Sequence, residues 1–182
     1  MCLTPPLYPR GDTVTNYTYD SIGRNTVTYI SGTVSLNYTY TNGQITGITR
    51  GGYETPGSSE KIEQTYSFVY DAWGNTTQTK LGNDTTLASY SYAPNNGSLT
   101  RMTYCNGTYI DYEYDLLDRI VKVSYNGVVK YTYAYNGDGA LYKVTEGTKE
   151  HYYNYDGIGR LVSLVSYENG EVIAYQSSNY DE

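Results

Sequence analysis

The sequence predicts an all-β protein: a spiralling strip of antiparallel hairpins built from a repeat of about 21 residues. Three observations predict it. Tyrosine dominates the aromatics, with 26 residues against one Trp and one Phe. Many of these tyrosines sit two apart, and the pairs recur at steps of 21, 30, 22, 22, 21, 20 and 25 residues. Turn signals, Asp-x-x-Gly and Asn-Gly, fall between them at roughly half that interval. Residues at i and i+2 share one face of a strand. A fixed period of this length marks a repeat architecture.

In chain order, residues 1–12 carry Pro5, Pro6, Pro9 and Gly11, and read as an extended or disordered leader. The array runs from 13 to 182. Its first phrase is Tyr17-x-Tyr19-Asp20-x-x-Gly23-Arg24. The tyrosines end a strand. The Asp side chain accepts backbone N–H groups a few residues on and starts a turn. The Gly supplies a positive φ that other residues resist. The second phrase keeps Tyr38 and Tyr40 and brings its glycine one residue early, at Gly43. The third is Phe68, Tyr70, Asp71 and Gly74. The fourth has Tyr90 and Tyr92, with Gly97 one residue late. The fifth has Tyr112, Tyr114, Asp115 and Arg119, with Asp118 where Gly is expected. The sixth has Tyr133, Tyr135 and Gly139. The seventh, Tyr153, Tyr155, Asp156, Gly159 and Arg160, is the cleanest copy. Tyr180 stands where an eighth would end, with Ser178 in place of the first aromatic.

The second half of each repeat has its own pattern. Counted from the glycine position, aliphatic residues fall at +2 and +5: Ile45/Ile48, Leu99/Met102, Ile120/Val123, Leu141/Val144 and Leu161/Leu164. These offsets have opposite parity, so a flat strand places them on opposite faces. A turn or bulge at the first residue reconciles them. A second turn signal then follows, at Gly32, Gly82-Asn83, Asn106-Gly107, Asn126-Gly127, Gly147 and Asn169-Gly170. Asn-Gly between alternating strands is a strong hairpin signal. Two strands and two turns thus fill each repeat, and seven repeats make about fourteen strands. A strip this long twists and coils. Residues 50–61, with three Gly, two Ser and Pro56, account for the one 30-residue step as a surface loop.

Composition narrows the function. Leu, Ile, Val and Phe supply only 33 of 182 residues, a disorder-like share opposed by the regular tyrosines. Tyr rings take over the task of an aliphatic core when their hydroxyls reach a partner or water. The net charge of −7 argues against nucleic acid, which needs clustered Lys and Arg. No stretch approaches the ~18 apolar residues of a membrane span. Cys2 and Cys105 do not make a disulfide framework.

A Tyr-x-Tyr-Asp-x-x-Gly-Arg phrase at this spacing resembles the YD repeat of Rhs, wall-associated, teneurin and toxin-complex C-type proteins. The resemblance covers Thr13 to Tyr180. Arg follows the turn only at Arg24, Arg119 and Arg160, and the marker's Asp is replaced at Thr41, Ala93 and Asn136. The resemblance implies a segment of a β-shell in a secreted or cell-surface bacterial protein. It implies a partner of one of two kinds, an enclosed C-terminal polypeptide or a cell-surface glycan. The residues point to no enzyme, cofactor or metal in this stretch.

The residues themselves favour scaffold. The Asp/Arg pairs recur, whereas a catalytic site is unique. The tyrosine rows read first as a cross-strand ladder, with a stacking platform for sugars as the alternative. Asn136-Gly137-Asp138-Gly139 resembles a calcium loop but lacks a closing bidentate acid. His151, the only histidine, reads as structural. Trp73 is expected to pack on the next repeat. Unpaired strand edges invite self-association.

Overall fold

The computed structural model describes residues 14–30, 34–53 and 61–180. The leader expected over 1–12 lies outside the described residues, as does the turn signal at Gly32. Among the described residues there are fifteen strands and no helix. They are β1 (Thr15–Tyr19), β2 (Asn25–Ile30), β3 (Val34–Thr41), β4 (Gln44–Tyr53), β5 (Lys61–Tyr70), β6 (Thr76–Leu81), β7 (Thr85–Tyr92) and β8 (Leu99–Tyr104). There follow β9 (Tyr109–Tyr114), β10 (Ile120–Tyr125), β11 (Val128–Tyr135), β12 (Leu141–Glu146), β13 (Lys149–Tyr155), β14 (Leu161–Glu168) and β15 (Glu171–Ser177).

The chain divides into two compact units, residues 1–89 and 90–182. In the first, β1 to β7 pair antiparallel in chain order. In the second, β8 to β15 do the same. Short connections leave no other geometry open, since parallel neighbours need long crossovers.

The parity problem is solved by a bulge in each repeat whose pairing is described, three residues after the glycine position. Thr26, Thr46, Thr77, Val121, Tyr142 and Val162 are each skipped in the register. An extra residue in one strand of a pair reverses the facing of all that precede it. The +2 and +5 aliphatics therefore share a face. Ile45, Ile120, Leu141 and Leu161 lie opposite the second Tyr of the phrase, at Tyr40, Tyr114, Tyr135 and Tyr155. Ile48, Val123, Val144 and Leu164 lie opposite the first, at Tyr38, Tyr112, Tyr133 and Tyr153. The bulge falls one residue later than the +2 position expected, because the +2 carbonyl is wanted for a tyrosine contact described below.

The stretch 50–61 is also different from expectation. Arg50 to Tyr53 continue β4, and Lys61 opens β5. Gly51 and Gly52 pair with β3 on one side and β5 on the other. Ladder hydrogen bonds on both sides hold these glycines extended despite their freedom. Residues 54–60 lie outside the described residues.

The tyrosines do not replace a core in the full sense. Among the described residues no large side chain is fully buried, and the buried ones are Ala88, Thr28, Ser124, Ser166 and the glycines Gly47 and Gly51. The rings of β3 to β14 are mostly half-buried, packed on neighbours across the sheet rather than beneath a second layer.

Candidate functional site: the stapled turns

Each aromatic pair leads into a turn, and all seven turns lie between an odd strand and the even strand that follows it. In the seventh repeat Asp156 Oδ1 accepts the backbone N–H of Ile158 (3.0 Å) and of Arg160 (2.8 Å). Its Oδ2 takes Arg160 Nε at 2.6 Å. Asp156 N–H donates to Arg160 O, and Gly159 N–H donates to Asp156 O. Gly159 closes the turn at φ +85° with nothing near its missing Cβ. The first and fifth repeats reproduce the set. Asp20 serves Ile22 N, Arg24 N and Arg24 Nε, and Asp115 serves Leu117 N, Arg119 N and Arg119 Nε. Asp118, in the glycine place, takes φ +59°, a conformation that Asp tolerates better than most residues.

The arginine then reaches the next repeat. Arg24, Arg119 and Arg160 lie over the rings of Tyr40, Tyr135 and Tyr180, at 4.5, 4.3 and 4.5 Å from the centroids. Each of those tyrosines donates its hydroxyl to the carbonyl just after the arginine: Asn25 O at 2.7 Å, Ile120 O at 2.8 Å and Leu161 O at 2.8 Å. The same hydroxyl staple occurs without arginine from Tyr70 to Ile45 O, Tyr114 to Leu99 O and Tyr155 to Leu141 O. The second Tyr of the phrase thus locks the turn of the repeat before it. Tyr180 does so with its neighbour at 178 a serine, so the staple needs one ring of the pair only.

The aberrant repeats show what each atom does. Asn136 accepts from Asp138 N and Ala140 N through Oδ1, as an aspartate would, and makes the turn without a carboxylate. Asp71 keeps the full acceptor set with Asn75 in the arginine place. The second repeat uses Asn42 and Gly43, both at positive φ, as a two-residue turn. The fourth relies on Asn96, whose Oδ1 accepts Ser98 N–H, with Gly97 at φ +75°. Gln44 donates to Gly74 O, and its amide comes within 3.0 Å of where a Gly74 Cβ would sit.

The carboxylates respond as their partners dictate. The Arg119 guanidinium holds Asp115 below the ordinary carboxylate range, and the Arg160 guanidinium does so for Asp156. The Arg24 backbone N–H, followed by its guanidinium, does the same for Asp20, and the Asn75 amide for Asp71. Burial pushes the Tyr114 and Tyr133 phenols up.

His151 Nδ1 lies 2.8 Å from the hydroxyl of buried Ser166. Cys105 is free and exposed. Among the described residues no group of three or more His, Cys, Asp and Glu gathers as a metal site. No helix there is long and apolar enough to cross a membrane. Trp73 does not pack on the next repeat; it is 83% exposed, because position +2 of the Asp turn points off the rim. Ile22, Leu117 and Ile158 share that position and that exposure.

Two clusters escaped the periodic reading; in one, Arg101 pairs with Asp111 through both carboxylate oxygens and lies 4.2 Å from the Tyr109 ring centroid, and the other is on β12 to β14. Lys143 Nζ pairs with Glu150 Oε1 at 2.6 Å and lies 5.0 Å from the Tyr152 ring centroid. The Tyr152 hydroxyl donates to Glu150 Oε2 at 3.0 Å, and the ring meets Tyr167 edge-on at 5.6 Å. Glu150 pushes the Lys143 ammonium up to about 12. Comparing the same position in every repeat is the signal that finds it: Asn16, Asn37, Ser67, Ser89, Asp111 and Thr132 stand where Tyr152 stands.

Fold and turns together define a class, an all-β repeat strip whose hairpins are locked one to the next by a stapled turn. Comparisons with known proteins agree with that class. The chain is 29% identical over 172 residues to the tRNA3(Ser)-specific nuclease WapA of Bacillus spizizenii, covering 90% of this chain and 7% of that protein. It is 28% identical over 172 residues to the tRNA nuclease WapA of Bacillus subtilis, with the same coverage. The chain therefore spans about 7% of the length of the curated relatives it matches. Among solved structures, the crystal structure of TcdB2-TccC3 has a TM-score of 0.51 at 14% identity, covering 92% of this chain and 11% of that one. That is a likeness of fold. No family profile matches the chain.

Proposed function

We propose that this strip is a wall segment of a β-shell of the Rhs or YD-repeat kind, in a secreted or cell-surface bacterial protein related to toxins. Its task is to enclose or present another polypeptide segment. The observation that carries the reading is the staple itself: the same hydroxyl-to-carbonyl lock recurs from repeat to repeat in both compact units. Repetition of one lock suits a device that extends a wall by identical steps, and it offers no single reactive centre. The similarity to WapA and the fold shared with TcdB2-TccC3 support it. The nuclease activity in the relatives' names belongs to proteins far longer than this chain and is not assigned to the strip. The test is limited proteolysis of the whole reading frame, with and without turn-breaking substitutions in the strip. Protection of a second segment that vanishes when the strip is broken is the expected result; equal protection in both counts against enclosure.

Self-association belongs to the same proposal. All seven residues of β15 are exposed, and exposed strands at an edge recruit others. A monomeric mass by light scattering at every concentration is the contrary outcome. A second reading, glycan contact, is favoured by the corner that the Tyr152 and Tyr167 rings make, edge to face at 5.6 Å.

A further inference from the structure

Asn-Gly is the dipeptide whose second backbone nitrogen most easily reaches the preceding side-chain amide, because glycine has no Cβ to shield it. The chain has six copies, at Asn42, Asn96, Asn106, Asn126, Asn136 and Asn169. Three of them make the same two-residue turn, with both residues at positive φ: Asn42-Gly43, Asn126-Gly127 and Asn169-Gly170. All three asparagines are exposed. They differ in what holds the side chain. Asn126 Oδ1 accepts the Tyr109 N–H at 2.8 Å, and the Tyr109 hydroxyl lies 3.4 Å from where a Gly127 Cβ would sit. No hydrogen bond holds the side chain of Asn42 or Asn169 among the described residues. Nothing lies within 4 Å of the Cβ position of Gly43 or Gly170. Asn96, Asn106 and Asn136 are held in turn, each accepting the N–H two residues on.

A side-chain amide that is free to rotate brings its carbonyl carbon to the backbone nitrogen that follows it. The Gly170 nitrogen bonds to Asn169 Cγ and gives up its proton, the Cγ–Nδ2 bond breaks, and ammonia leaves. Water then opens the cyclic imide at either carbonyl, to aspartate or to isoaspartate. The two free sites have different neighbours. Thr41 and Gln44 stand opposed across the Asn42 turn, and both are neutral. Glu168 and Glu171 stand opposed across the Asn169 turn, and Lys149 faces Glu168 from β13. A carboxylate at position 169 adds a third acid to the tip of the β14–β15 hairpin, and like charges across a strand pair weaken it. Isoaspartate fits less well still, since its extra backbone carbon lengthens a two-residue turn.

We propose that Asn169-Gly170 is a self-modification site: the folded protein converts Asn169 to aspartate or isoaspartate with water as the only co-reactant, and the product loosens the β14–β15 hairpin. Asn42 reacts by the same route, but its aspartate meets no opposed acids. Asn126 is protected by Tyr109. One turn type thus has three fates, set by what touches the side chain and by the charges beside it.

The experiment is incubation of the 182-residue protein at mildly alkaline pH, with each Asn-Gly peptide followed by mass spectrometry and isoaspartate by enzymatic methylation. Asn42 and Asn169 should convert about 2- to 13-fold faster than Asn126, the factor that one hydrogen bond contributes. In urea the three rates should converge. Asn126 keeping pace with Asn169 in the folded protein, Asn169 staying intact, or a difference that survives urea each overturns the site. The consequence is read on Asn169→Asp, which supplies the product directly, with Asn42→Asp as its control. Amide exchange along β15 should quicken by about 1.4- to 5-fold in the first variant. Exchange along β4 should be unchanged in the second. Parent-like exchange along β15 in Asn169→Asp overturns the loosening.

Discussion

The turns of the fifth and sixth repeats, Asp115 to Arg119 and Asn136 to Ala140, have the same backbone shape and different connections. In both, Oδ1 of the first residue accepts two backbone N–H groups, and the residue in the glycine place has positive φ. Only the fifth has a second carboxylate oxygen, and only there does an arginine bridge the turn to the ring of the next repeat. The sixth keeps the hydroxyl staple from Tyr155 alone. Making the turn and coupling it onward are thus separable tasks, carried by different oxygens of one side chain. An asparagine suffices for the first, and a charged pair reinforces the second.

Acid should separate the two kinds of turn most strongly, because it acts on four at once. Asp20, Asp71, Asp115 and Asp156 all have depressed folded values. A depressed carboxylate contributes stability that is fully present above its unfolded value and is lost as pH falls through its folded one. The melting midpoint should therefore hold near neutrality and drop below about pH 4, where an unfolded Asp titrates. Asp115→Asn with Asp156→Asn copies the sixth repeat into the fifth and seventh. That variant should melt lower at pH 7 and lose less on acidification. Parallel curves would place the acid sensitivity elsewhere.

A smaller effect distinguishes two glycines of one turn. Gly159 has φ +85°, whereas Gly157 has no such conformation and open space around it. Gly159→Val should cost about 1–3 kcal/mol, the range for a side chain forced into a sparsely populated conformation. Gly157→Ala should be neutral or stabilising by up to about 1 kcal/mol through the unfolded chain. Thermal denaturation reads both, at roughly 2–4 °C per kcal/mol for a chain of this size. Equal midpoints would mean the turn does not depend on its last glycine.

Next in size is the coupling itself. Tyr135→Phe removes one hydroxyl staple, worth about 0.5–1.5 kcal/mol. If Arg119 holds that ring in place, the double change with Arg119→Ala should cost less than the sum of the singles, by about 0.5–1 kcal/mol. The sixth turn has Ala140 in the arginine place, so Tyr155→Phe paired with Arg119→Ala should be additive. Additivity in both pairs would reduce the arginine–ring contact to coincidence.

What was legible in the sequence was everything that repeats. The aromatic pairs, the Asp and the glycine fix strand, turn and register locally, and each of these signals spans under ten residues. The staple was not legible, because Tyr135 and Ile120 are fifteen residues apart and meet only once the hairpin folds. Asn136 counted as a departure from the phrase because the phrase was read by residue type, while the turn uses a single side-chain oxygen. Arg50 to Tyr53 looked like a loop because glycine has no strand preference of its own, and neighbours on both sides imposed one. Tyr152 was hidden for the opposite reason: among so many tyrosines, one more on the other face disturbs no local pattern.

Asp118 offers the finest test of the comparison, since it breaks the fifth phrase at the one place where the sixth obeys it. Its positive φ favours Gly, and its side chain accepts the amide of Asn96 from the preceding turn. Asp118→Gly exchanges a small backbone strain for that exposed contact, and the two changes oppose each other. The net shift should stay within about 0.5 kcal/mol, the range of surface substitutions. Asp118→Ala loses the contact and keeps the strain, so it should be the less stable of the two variants. The order of these two midpoints is the informative result. Alanine at or above glycine would mean that backbone conformation does not govern this position, and that the glycines of the other repeats need a different account.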